Sequence, residues 1–159
     1  MAPFFRGFIR YLVFTVLLFG LISKCMPYPN SAAGETCAAE MSSRAVQTLP
    51  QAREDWKSLL RHREKFASCD DGELAEAYTE AVVGLFAYKW DQLDKFAGQV
   101  HGHANLQKWA LRHIDSSASK EDLKKISSNA SSCRNGLKHL CKIIKQTSER
   151  ALRESLDAQ

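Results

Sequence analysis

A chain of 159 residues, 45% hydrophobic and 25% charged, holds apolar material for one ordinary domain and too much of it for a disordered tail. Its formal charge of +4 points at first to a polyanion, but Arg6, Arg10 and Lys24 all precede the first acidic residue, Glu35, and beyond them 19 basic residues face 18 acidic ones. That near-neutral remainder carries no nucleic-acid recognition motif, P-loop, dinucleotide fingerprint, HExxH or Gly-x-Ser-x-Gly, so neither a nucleic-acid partner nor a cofactor is expected.

Arg6 and Arg10 lead into an uncharged apolar run, Tyr11 to Ile22, which ends at Ser23-Lys24. A basic start, a short hydrophobic centre and a polar exit make a secretory signal peptide over residues 1–24, with small residues at Ser31-Ala32-Ala33 allowing a cut as late as 33. Twelve apolar residues fall short of the ~20 that span a bilayer, although an uncleaved anchor stays open. Leu21-Ile22-Ser23-Lys24-Cys25 resembles a bacterial lipobox, with Lys24 where a small residue belongs, so lipidation at Cys25 is the other route to a membrane. The expected location is periplasmic or secreted, the alternatives being an envelope lipoprotein and a signal-anchored protein.

Export changes how the cysteines read. With Cys25 leaving or lipidated, Cys37, Cys69, Cys133 and Cys141 form an even set in an oxidising compartment. Three connectivities are open, and Cys37–Cys69 with Cys133–Cys141 is the favoured one. The second pair requires Arg134-Asn135-Gly136 to fold back, because eight residues of helical rise would hold the sulfurs about 12 Å apart.

Residues 25–35 read as a flexible lead-in and 36–156 as the domain. Helical spacing dominates from there, and no proline follows Pro50. A first helix is predicted over 35–47, with Cys37, Met41 and Val46 apolar, broken at Thr48-Leu49-Pro50. A second starts at Pro50 and runs to about Ala67, burying Ala52, Trp56, Leu59, Leu60 and Phe66. Asp70 with Glu73 resembles a capping box for a third helix, whose stripe is Leu74, Tyr78, Ala81, Val82, Leu85 and Phe86. Gly84 is expected to permit a close helix contact, and Tyr88 and Trp90 to carry the apolar content on towards Val100 after a bend. Asn105 is the predicted cap of a short helix reaching Ile114, and Ser119 that of another carrying Leu123 and Ile126. Residues 127–136 read as polar turn, and a last helix from Leu137 ends near 156. The expected fold is all-α, a single antiparallel bundle of five or six helices stapled by disulfides.

Candidate chemistry is sparse. His101-Gly102-His103 offers two metal ligands that His113 and Asp115 would have to complete, and the plainer reading is a solvated loop. His113 with Asp115 also has the composition of a catalytic pair, without an activated nucleophile beside it. Glu73, Glu76 and Glu80 read as the wet face of their helix rather than as paired acids. Trp56, Tyr88, Trp90 and Trp109 are assigned to the core or its edge, and any of them found exposed becomes the first candidate for a partner anchor. Arg134, Lys138, Lys142 and Lys145 recur at helical spacing without an intervening acid, which aligns four positive charges as a docking strip for a partner with an acidic surface.

The stretch Trp109-Ala-Leu-Arg-His-Ile-Asp115, continuing through Asp122-Leu-Lys-Lys-Ile126, Asn129-Ala130, Cys133 and Leu140-Cys141, resembles small exported helical proteins of proteobacteria, as does Cys69-Asp-Asp-Gly before Glu73-Leu-Ala-Glu-Ala-Tyr78. That resemblance implies export and a helical fold and brings no catalytic residues. In architecture the chain is similar to immunity proteins that block contact-delivered toxins. The functional expectation is an exported protein-binding module acting by steric occlusion, not an enzyme. The alternatives are a secreted effector or envelope structural factor, and behind them a small hydrolase or metal carrier.

Overall fold

The computed structural model describes residues 37–157, all within the unit Gly34–Gln159. The signal peptide over 1–24, its later end at 33, the lead-in over 25–35 and Cys25 lie outside the described residues. Seven α-helices and two short 3₁₀ turns make up the described part, which contains no strand. They are α1 (Ala39–Ala52), α2 (Trp56–Lys65), α3 (Gly72–Tyr88), α4 (Leu93–Val100), α5 (Ala104–Arg112), α6 (Lys120–Ser131) and α7 (Lys138–Asp157). Among the described residues no helix is long and apolar enough to cross a membrane.

The all-α class and both disulfides agree with the sequence reading, but the helix boundaries shift in informative places. The first helix does not stop at Gln47: α1 continues to Ala52 with Pro50 in its last turn. Its buried face is Ala45, Leu49 and Ala52, at helical spacing, while Met41 is exposed. The second helix starts at Trp56, because Asp55 caps it: its carboxylate accepts from the Ser58 backbone N–H at 3.0 Å and from the Ser58 hydroxyl at 2.9 Å. At the third helix the cap is Asp71, which accepts from Gly72 N–H at 2.8 Å, and Asp70 turns inward instead. Likewise Asn105 falls inside the first turn of α5, with His103 at the cap position. Ser119 caps α6 as expected, accepting from Asp122 N–H at 3.1 Å. That helix persists to Ser131 through the run read as turn. The Asn129 side chain explains this: its amide donates to the Phe86 and Ala87 carbonyls, both at 3.0 Å, at the end of α3. The seventh helix arises at Lys89, where α3 ends and a 3₁₀ turn over Trp90–Gln92 leads into a separate α4.

Helix α3 occupies the centre, with Leu74, Tyr78, Ala81, Val82, Leu85 and Phe86 all buried. It packs against α1 and α6, α2 packs on α1 and α4, and α7 folds back along α6. Trp56, Phe86 and Phe96 interlock α2, α3 and α4, with ring centroids 4.3 to 5.2 Å apart.

The Cys37–Cys69 bridge ties the start of α1 to the turn after α2, with Cα atoms 4.8 Å apart. Cys133–Cys141 closes the α6–α7 turn at a Cα separation of 6.1 Å, and Gly136 supplies the left-handed residue (φ 94°) on which the segment folds back. By the loop-closure argument the longer bridge limits the unfolded chain by about 4 kcal/mol and the shorter by about 2.5 kcal/mol.

Candidate functional site

Two buried histidines bond to hydroxyls of neighbouring residues on α3. His62 sits at the third position after Leu59 and the fourth before Phe66, so it shares the inner face of α2. Its Nε2 lies 3.1 Å from the Ala45 carbonyl, which can only accept, so Nε2 carries the proton. Nδ1 then accepts the Tyr78 hydroxyl at 2.8 Å. Burial lowers the His62 pKa and outweighs the Ala45 bond, which favours the charged ring. Burial likewise pushes the Tyr78 phenol up.

His113, at the end of α5, does not pair with Asp115, whose carboxylate instead accepts from the backbone and hydroxyl of Ser117. The imidazole lies between Thr79 and Asp70: Nδ1 is 3.1 Å from the Thr79 hydroxyl and Nε2 is 3.5 Å from Asp70 Oδ1. Trp109 Nε1 donates to Asp70 Oδ2 at 2.8 Å, and Arg112 reaches the same oxygen at 2.5 Å. Burial pushes the Asp70 carboxyl up, but the bond to His113 and its charge, with Trp109 and Arg112, outweigh that and hold it low. Carboxylate, imidazole and hydroxyl stand in the order of a nucleophile relay. The hydroxyl, however, belongs to a buried threonine in mid-helix, where the neighbouring backbone N–H groups are committed to α3 and form no oxyanion hole. The cluster therefore works as a clamp joining α5 to the α2–α3 turn.

The remaining candidates are distributed as follows. His101 and His103 are exposed in the α4–α5 turn, His113 is held in the clamp, and no group of three metal-ligating side chains exists among the described residues. Trp56 and Trp109 are buried and Trp90 is partly buried, whereas Tyr88 is 62% exposed. Its hydroxyl bonds the Asp122 carboxylate, which raises the phenol pKa, and Lys125 Nζ lies 4.0 Å from its ring centroid. Gly84 makes no close helix contact: a Cβ there would meet nothing within 4 Å. It borders a cavity of about 550 Å³ whose wall includes Glu76, Glu80, Tyr88 and Asp122.

On the basic strip, Lys138, Lys142 and Lys145 lie on α7, but Arg134 stands before the helix in the disulfide-closed turn and donates to Asp94 at 2.5 Å. Lys145 pairs with Glu149 at 3.8 Å. Lys138 and Lys142 are exposed and hold no ion pair among the described residues. The charge asymmetry is wider than four residues: Leu123 to Ser148 contains six basic side chains and no acidic one.

Fold and surface together define an all-helical, disulfide-bonded domain with a buried polar clamp. Comparison with protein-family models, curated proteins and solved structures returned no match.

Proposed function

We propose that this protein is an exported binding module that docks another protein through the basic face of its α6–α7 hairpin. The observation that carries this reading is the acid-free run from Leu123 to Ser148, with Lys138 and Lys142 exposed and without an ion pair among the described residues. Cys133–Cys141 pins the turn of that hairpin, so the charges are presented by a backbone whose ordering cost is already met before contact. A partner with an acidic surface would be steered to this face and held in register by it. Occlusion of that partner's own site by a rigid helical face is the mode of an immunity-type inhibitor, and it requires no catalytic group in this chain.

The test is the double variant Lys138→Glu/Lys142→Glu. The thermal midpoint should hardly move, because both side chains are solvated, while capture of a stoichiometric acidic protein from an envelope extract should be lost. A fall in stability of several kcal/mol, or capture that survives the charge reversal, overturns the reading.

A further inference from the structure

A second surface, of contrary sign, runs along α3 and borders the start of α6. Three adjoining hollows run along α3, with volumes of about 260, 550 and 280 Å³. The first and second share Glu76, Thr79 and Ser117, and the second and third share Arg53, Glu80, Gly84 and Tyr88, so they form one groove. From Ala75 to Lys89 it extends about 21 Å at roughly 1.5 Å of rise per residue, the span of about six residues of extended chain.

We propose that this groove docks an extended basic segment of a partner protein, independently of the basic hairpin. Glu76 and Glu80 are one helical turn apart on α3 and exposed, and among the described residues they hold neither ion pair nor side-chain hydrogen bond. Like charges at that spacing repel, and a cation laid between them relieves the repulsion. Asp122 adds a third carboxylate, and Arg53 with Lys125 over the Tyr88 ring supplies two countercharges, so the central hollow keeps a surplus of one negative charge. At its rim Tyr88 offers an exposed aromatic face of the kind that stacks on guanidinium and ammonium groups, as Lys125 of the chain itself already does. The first hollow adds Asp115 and reaches the clamp, where Asp70 Oδ1 and His113 Nε2 are buried without a hydrogen bond of good geometry. The absent side chain at Gly84 keeps the middle of the groove open.

A fluorescently labelled hexa-arginine peptide, titrated into the full domain and followed by anisotropy, tests this. Saturable binding that weakens with added salt is expected. Glu76→Gln/Glu80→Gln should weaken it roughly three- to tenfold, the scale of two exposed ion pairs, and Tyr88→Ala by a factor of about three. Lys138→Glu/Lys142→Glu should not weaken it, which separates this groove from the hairpin face. No saturable binding, or binding indifferent to the groove variants while their thermal midpoints are unchanged, overturns the proposal. So does concentration-dependent self-association that Glu76→Gln/Glu80→Gln abolishes, since the groove would then belong to a second copy of this chain.

Discussion

Asp70 and Asp71 are adjacent in sequence and opposite in role, and replacing each with alanine separates the two. Asp70 lies inward, its side chain only 7% exposed, and accepts from Trp109 and Arg112 while facing His113. Asp70→Ala strands the buried Trp109 N–H, which loses a bond to a charged group, whereas His113 Nε2, 3.5 Å away and already short of a good hydrogen bond, and the exposed Arg112 add little. The total expected loss is about 2–3 kcal/mol, which in a domain of roughly 120 residues lowers Tm by about 8–12 °C. Asp71→Ala removes only a helix cap and should cost about 1 kcal/mol, or about 4 °C. Thermal unfolding followed by far-UV circular dichroism measures both. The acid limb adds a second readout. Because the folded Asp70 carboxyl is held below its ordinary 3.8, its contribution is full above that pH and is lost as pH falls through the lowered folded value. Asp70→Asn should flatten that limb. Equal, small losses for the two alanine variants would refute the clamp.

Three further outcomes are expected. Asn129→Asp places an anion against the Phe86 and Ala87 carbonyls and should cost about 2–3 kcal/mol in denaturant melts, while Ser128→Asp on the exposed side should cost little. Gly84→Ala should raise stability by up to about 1 kcal/mol in the same melts, since the added methyl meets open space, and should narrow the α3 groove. Buried His62, whose folded pKa lies below the ordinary 6.5, contributes stability in full above pH 6.5; that contribution declines as pH falls through 6.5 towards the folded value, a slope that His62→Gln should reduce in melts across that range.

The helical class and the buried stripe of α3 were legible because each rests on local spacing, whereas the disulfide connectivity was one of three open to the sequence, and the favoured one is the one formed. Boundaries were legible only where one cap residue had no competitor, as at Ser119. Asp70-Asp71 offered two carboxylates for one cap, and only the packing of α5 decides which turns inward. Pro50 suits a helix start, where its missing N–H costs nothing, yet Asp55 supplies the stronger start signal and leaves Pro50 in the last turn of α1. Ser127-Ser128-Asn129 reads as turn by propensity, and the tertiary bonds of Asn129 override that propensity. Of the candidate site, the lysines of α7 were visible as a pattern, but the detour of Arg134 to Asp94 depends on a residue forty positions away. The clamp and the α3 groove are products of assembly. His113 was visible as a candidate, but beside Asp115 rather than Asp70, and His62 left a trace, since its spacing from Leu59 and Phe66 places it on the buried side of α2.

A stapled domain matured outside the cytosol is the premise beneath both docking faces, and non-reducing mass mapping of the protein recovered from its producing cells tests it most directly. The account predicts a species four hydrogens lighter than its reduced form, with Cys37 linked to Cys69 and Cys133 to Cys141 in the digest. Four thiols that all react with an alkylating probe, in a chain that still carries its first 24 residues in the cytosolic fraction, would contradict it.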